Sequence, residues 1–182
     1  MRAMISPTRT DLQLTPHFWL SEFEHSNTAA RLGIRNEANS GQLQNLKRLA
    51  MQAEDIRALL GHRPVVISSG LRTLIVNGLV KGIIQPADLR GLDKRPDLMQ
   101  RLRSDTSAHP DGRAMDFTCP GFGSPREIVM RLMDSHLQFD QLIYEGTWVH
   151  YGIARAGEKP RRQVLTAVFR AGQPTRYLPG LV

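Results

Sequence analysis

Between Gly41 and Leu60 the apolar residues Leu43, Leu46, Leu49, Ala50, Ala53, Ile56, Leu59 and Leu60 recur at three- and four-residue steps, and Gly61 follows. That spacing lays one apolar stripe along a single helix face, and a glycine just past the last turn is an ordinary helix stop. Such a stripe needs a partner layer to bury it. The partner is legible in shorter segments rich in β-branched and aromatic residues. Pro64-Val65-Val66-Ile67-Ser68-Ser69 has the composition of a buried strand. From Arg113 to Cys119, Met115 and Phe117 alternate with Ala114, Asp116 and Thr118, which predicts a strand with Asp116 on its exposed face. Phe139 to Tyr144 and Trp148 to Ile153 read as two strands around the turn Glu145-Gly146-Thr147, and Val164 to Phe169 as a last strand.

Two further helices carry their own end signals. Ser124-Pro125-Arg126-Glu127 has the N-cap serine, first-turn proline and N3 glutamate of a capping box. Thr28 to Leu32 is closed by Gly33. Helices and strands in this order predict an α+β fold, with a central, mainly antiparallel sheet flanked by helices.

The chain has 182 residues, enough for one compact domain with a core. Residues 16–182 are expected to form that domain, after a loose arm over residues 1–15. The stretch 83–105 holds Pro86, Gly91 and Pro96 among many charges, which suggests an insertion with one short helix, acting as a flap or rim. No stretch approaches the roughly 20 apolar residues that span a bilayer. The first 25 residues mix Arg2, Arg9, Asp11 and Pro16 without an apolar run. The sequence therefore predicts no transmembrane segment, no secretory signal and synthesis in the cytoplasm.

The single cysteine, Cys119, excludes an internal disulfide framework and any thiolate-rich metal site. A metal would have to be held by histidine and carboxylate. Lysine and arginine number 24 against 17 acidic residues, a formal net charge of +7, and the isoelectric point is near 10.3. Nucleic acid, an anionic membrane face and anionic cell wall all suit such a charge, as does a plainly soluble basic surface. Arg161-Arg162 motivates a nucleic-acid reading, but no helix-turn-helix or finger pattern accompanies it.

The stretch with the most chemistry is Ser107-Ala108-His109-Pro110-Asp111-Gly112-Arg113-Ala114-Met115-Asp116. It sets an imidazole in a loop and a carboxylate on the strand that follows. His150 lies on another predicted strand, and Glu145 sits across a tight turn from it. A catalytic zinc takes three protein ligands of this kind and keeps a fourth position open. Each residue also has an ordinary use: a hydrogen-bonded surface histidine, a strand-end aspartate, a turn glutamate, and a turn glycine at Gly112. The spacing alone leaves both readings open. His17, His25, His62 and His136 fall in no such pattern.

Ser107-x-His109-x-x-Gly112-x-Ala114-x-Asp116, followed by Glu145 and Trp148-x-His150, closely resembles the signature of the zinc D-Ala-D-Ala carboxypeptidase and L-alanyl-D-glutamate endopeptidase family. That family of peptidoglycan metallopeptidases includes phage endolysins and shares its fold with the hedgehog signalling domain. Ser69-Gly70-Leu71-Arg72 resembles the family's Ser-Gly-Tyr-Arg segment, with Leu71 in place of the aromatic. Leu20-Ser21-Glu22-Phe23, Thr28-Ala29-Ala30-Arg31 and Ala58-Leu59-Leu60-Gly61 resemble the lead-in of its phage and bacterial carboxypeptidase-like members. The stretch from about Leu79 to Thr106 is longer than the corresponding connection in that group.

The resemblance implies a hedgehog-like or DD-peptidase-like fold with one Zn²⁺ per chain held by His109, Asp116 and His150. Glu145 would be the general base and acid, and Arg72 would bind the peptide carbonyl and the oxyanion. Ser107 and Trp148 are implied as substrate-binding residues. The implied substrate is the peptidoglycan stem peptide, cut by carboxypeptidase-like or endopeptidase action, with anionic cell wall as a partner and no nucleic acid. A phage endolysin or tail-associated lysin, released after phage-type lysis or carried on a virion, is the implied setting. The alternative is a non-catalytic zinc domain that binds cell wall or builds a phage structure.

Overall fold

The computed structural model describes residues 10–182. In chain order the strands and helices are β1 (Gln13–Thr15), β2 (Phe18–Trp19), α1 (Leu20–Glu24), α2 (Asn27–Leu32), α3 (Ser40–Leu59), β3 (Val66–Ser69), α4 (Leu74–Val80) and α5 (Pro96–Arg103). They continue with β4 (Ala114–Thr118), α6 (Pro125–Met133), β5 (Gln141–Tyr144), β6 (Val149–Gly152), β7 (Gln163–Val168) and β8 (Arg176–Pro179). Six strands form one sheet in the order β3-β4-β6-β5-β7-β8, antiparallel except where β5 runs parallel to β7. The fold is the expected α+β type, with a mostly antiparallel sheet flanked by helices.

The sheet is two-faced. Met115 and Phe117 of β4, Val149 and Tyr151 of β6 and Leu142 of β5 point to one side, where they meet Leu46, Leu49, Ala50, Ala53 and Ile56 of α3. These five are the centre of the stripe read from the sequence. Burying each of the larger ones contributes about 1.5–3 kcal/mol of transfer free energy. Ile128, Val129 and Leu132 of α6 close the same core. Asn39 caps α3 in a reciprocal box with Gln42, and the box expected at Ser124 and Glu127 caps α6.

Several elements depart from the sequence expectations. The arm expected over residues 1–15 lies outside the described residues as far as residue 9. From there on it is tied down rather than loose, because β1 pairs with β2 and Asp11 accepts hydrogen bonds from the Ser21 backbone and hydroxyl. β3 is an edge strand rather than a buried one, with Val66 51% exposed; a β-branched run suits either position. Asp116 is buried rather than exposed, at 5%, because Arg72 and the loop carrying His109 lie over its face of β4.

The stretch 83–105 is packed. It makes short 3-10 turns at Pro86–Leu89 and Leu92–Lys94 before α5. Ile84, Leu92, Leu98 and Leu102 form a small second core there, against Leu74, Ile75 and Leu79 of α4.

Candidate metal centre

Asp116 and His150 are direct cross-strand partners of β4 and β6, so their side chains leave the same face of the sheet side by side. Asp116 Oδ1 lies 2.9 Å from His150 Nδ1 and 3.3 Å from His109 Nε2. His109 comes from a single 3-10 turn, His109–Asp111, that closes on Gly112 at φ 68°. Helix α3 holds this turn: Gln42 Nε2 donates to the Pro110 carbonyl at 2.7 Å and Asn45 Nδ2 to that of Asp111 at 2.9 Å. A Cβ on Gly112 would stand 3.0 Å from the Gln42 carbonyl oxygen, so both the backbone angle and the close approach require glycine.

The donor set fits a metal. One ligand atom from each of His109, Asp116 and His150 lies within 4.8 Å of the others, and all three residues are buried. His109 Nδ1 faces the Gly70 carbonyl at 2.6 Å. A carbonyl only accepts, so the proton sits on Nδ1 and Nε2 keeps its lone pair toward Asp116. Ligand atoms about 2.0–2.1 Å from a tetrahedral zinc stand roughly 3.3 Å apart, close to the spacings found here. Burial first, against the pull of Asp116, holds the His109 imidazole below its usual pKa and keeps it neutral. Burial acts to raise Asp116, but the two histidines hold its carboxyl well below the usual carboxylate range.

Arg72 follows β3. Its guanidinium is ion-paired with Asp116 Oδ2, and its Nε donates to Ser69 Oγ at 2.8 Å. The segment before it is clamped. Asn36, which sequence reasoning did not single out, donates to the Glu24 and Leu71 carbonyls at 2.8 Å each and accepts from the Thr73 N–H at 2.8 Å. A Cβ on Gly70 would lie 2.6 Å from the Phe23 carbonyl oxygen, so no other residue fits there. Leu71, in the aromatic's place, is fully buried in the main core.

Glu145 sits in the β5–β6 turn, where its N–H donates to the Trp148 carbonyl at 3.1 Å. Burial first, then the neighbouring Asp116 carboxylate, push its pKa up. Glu145, Trp148 and Arg72 join the three clustered residues around one cavity of about 540 Å³. Ser107 does not line that cavity, although Thr106 and Ala108 do. Its N–H donates to Asp105 Oδ1 at 2.8 Å and its Oγ accepts from the His109 N–H at 3.4 Å, so it shapes the approach to the turn. Trp148 packs against Phe169 with ring centroids 6.2 Å apart. The four histidines outside the pattern stay away from the cavity: His17 pairs with Glu54 and His25 with Asn27.

The sequence reading missed Lys81, Phe169 and Tyr177, which also line the cavity. They belong to the end of α4 and to the C-terminal hairpin, elements without a recognised motif. Lys81 is ion-paired with Asp105. Cys119 is fully buried and takes no part in the cluster.

Residues 16–94, just under half of the chain, match the family described as Peptidase M15. No curated protein matches the chain. The matched stretch carries α3 and the Ser69-Gly70-Leu71-Arg72 segment and ends before His109. The region beyond it brings together a His-Asp-His cluster able to bind a metal, of the ligand type a zinc peptidase needs. Over residues 16–94 the chain is similar to the M15 peptidases.

Proposed function

We propose that this protein hydrolyses peptide bonds in the stem peptides of peptidoglycan, with His109, Asp116 and His150 holding one zinc and Glu145 and Arg72 completing the catalytic site. The observation that carries this reading is the convergence of the buried His-Asp-His cluster, Glu145 and Arg72 on one cavity. Bound zinc supplies a Lewis acid that polarises the scissile carbonyl and acidifies water.

The chain's own groups supply the rest. Glu145 takes the proton of the attacking water and returns it to the leaving nitrogen. Its raised pKa suits a carboxylate that must hold that proton between the two transfers. Arg72 offers a planar fork of donors, aligned by Ser69, to the scissile carbonyl and to the negative charge that develops on its oxygen. The Gly70 carbonyl fixes the tautomer of His109 and thereby aims Nε2 into the cluster.

Metal analysis combined with digestion of purified peptidoglycan tests the proposal on the wild type and on Glu145→Ala. About one zinc per chain is expected in both proteins, since Glu145 is not among the three ligands. Released stem-peptide fragments are expected from the wild type alone. A zinc-loaded wild type that releases none would turn the reading to a non-catalytic cell-wall domain, and undiminished cleavage by Glu145→Ala would remove Glu145 from the chemistry.

A further inference from the structure

The row of residues that pairs Asp116 with His150 does not stop at the cluster. It continues through Ile143 of β5 and Leu165 of β7 to Pro179 of β8. Partners in register share a face, so the two outer strands open to the same side of the sheet as the metal ligands. The cavity follows them: beyond Ile143 it is lined by Gln163, Leu165, Phe169 and Tyr177. Tyr177 is the cross-strand partner of Ala167, which places it two residues along the same face as Leu165. Three strand steps separate β6 from β8, about 14 Å at roughly 4.8 Å per step, room for about four residues of extended peptide.

The two ends of this floor differ in chemistry. The lining's Lys, Arg, Asp and Glu side chains are Arg72 and Asp116 at β4, Glu145 in the turn after β5, and Lys81 at the end of α4. The lining residues of the β7–β8 hairpin carry no charge. Gln141 and Gln163, opposite each other on β5 and β7, share one amide–amide hydrogen bond of 2.8 Å. Whichever way that bond runs, one amide keeps an acceptor and the other a donor, the complement of a single peptide group. At the other end of the hairpin, toward Trp148 and the turn that carries Glu145, Phe169 and Tyr177 are 53% and 49% exposed, an aromatic surface next to the chain's own cleft.

We propose that the β7–β8 hairpin is the floor for the peptide on the acyl side of the scissile bond, with Phe169 and Tyr177 as specificity-determining residues that select an extended chain by its backbone and aliphatic surface. The leaving side, which carries the substrate's terminal carboxylate where there is one, falls to the end where Arg72 stands beside β4. This inference rests on the peptidase reading and deepens it: the substrate must present several residues before the cut bond, and a free dipeptide is a poor one.

The test uses synthetic peptides with one fixed scissile bond and one to four residues on the acyl side. The specificity constant kcat/KM is measured on the zinc-loaded wild type, Phe169→Ala, Tyr177→Ala and Tyr177→Phe. Calorimetric binding of the same peptides to zinc-loaded Glu145→Gln, with and without Tyr177→Ala, is measured alongside. In the wild type, kcat/KM is expected to rise at least about tenfold from the shortest to the longest peptide, the scale of one good apolar contact. That gain is expected to shrink to under about threefold in the two alanine variants and to survive in Tyr177→Phe, which keeps the ring. A wild type that cleaves no peptide overturns the peptidase reading, and the binding series then still tests the floor. Cleavage or binding independent of acyl length, or a full gain retained in both alanine variants, overturns this inference.

Discussion

Arg72 shows how narrowly one side chain is fixed by its neighbours. Asn36 clamps the backbone on both sides of it, Ser69 holds its Nε, and Asp116 takes its terminal nitrogen. The sequence offered Arg72 through a four-residue resemblance, while its clamp was invisible: Asn36 lies 35 residues before Leu71, and an asparagine between two helices carries no pattern of its own. Lysine at this position keeps the charge but loses the planar fork. Arg72→Lys is expected to lower kcat about 10²-fold or more, the scale for losing one oxyanion donor, while zinc content by mass spectrometry stays that of the wild type. A kcat within a factor of about three of wild type would show that the fork is not used in the transition state.

Elements with a strong repeat or an end signal were legible, and elements held only by their neighbours were not. The α3 stripe, the Ser124 box of α6 and the alternation in β4 are each written in consecutive residues. Helix α4 is not: its N-cap Thr73 makes no capping bond, and inside it stands Gly78, a poor helix former, where Leu102 of α5 packs too close for a side chain. Strand β8 is four residues long, ends on Pro179 and pairs only with β7, so no period is visible in it. The burial of Asp116 was misread for the same reason, because what covers it comes from distant segments.

The contact between α1 and the end of β3 is such a distant one, and it allows a prediction. The Leu71 N–H donates to the Phe23 carbonyl at 2.7 Å, and Gly70 gives its own carbonyl to His109. In Gly70→Ala the new methyl meets Phe23 backbone atoms at 2.6 and 2.7 Å. Backbone cannot swing aside as a side-chain tip can, so a loss of about 1–3 kcal/mol is expected. For a chain of this size that is a fall in Tm of roughly 3–10 °C. Zinc affinity should fall with it, because the displaced carbonyl no longer orients His109. An unchanged melting curve with unchanged zinc affinity would show that α1 yields.

Across the whole molecule, stability and chemistry occupy opposite faces of one sheet. The helices cover the face of Met115, Phe117 and Tyr151, while Asp116 and His150 open on the other. Much of the basic character is also spent on structure. Arg162 donates to the carbonyls of Met133, the last residue of α6, and of Ser135, and lies 4.5 Å from the Phe139 ring centroid. Arg161 forks onto Asp140, so the pair that suggested nucleic-acid binding is engaged within the fold. No helix among the described residues is long and apolar enough to cross a membrane. The hydrogen bond from Arg161 holds the Asp140 carboxyl below its usual pKa. A depressed folded-state pKa gives stability that is present above the unfolded value of about 3.9 and is lost as pH falls through the folded one. Arg161 is largely exposed, which limits the effect to about 1 kcal/mol or less. Melting curves from pH 6 down to about 2 should therefore fall more steeply for the wild type than for Asp140→Asn, and parallel curves would discount the pair.

The two-faced plan also sets what metal removal does. No member of the His-Asp-His cluster belongs to the main core. Chelation should therefore abolish hydrolysis without unfolding the chain, unlike the zinc domains whose folding free energy is the metal's. A ligand present at a thousand times its dissociation constant stabilises by about 4 kcal/mol, so Tm is expected to drop on the order of 10 °C. The far-UV circular dichroism at 25 °C should remain that of the loaded protein, and re-adding zinc should restore activity without a refolding lag. Collapse of the far-UV signal on chelation would mean that the metal holds the two faces together, and that the helix-covered core is not sufficient alone.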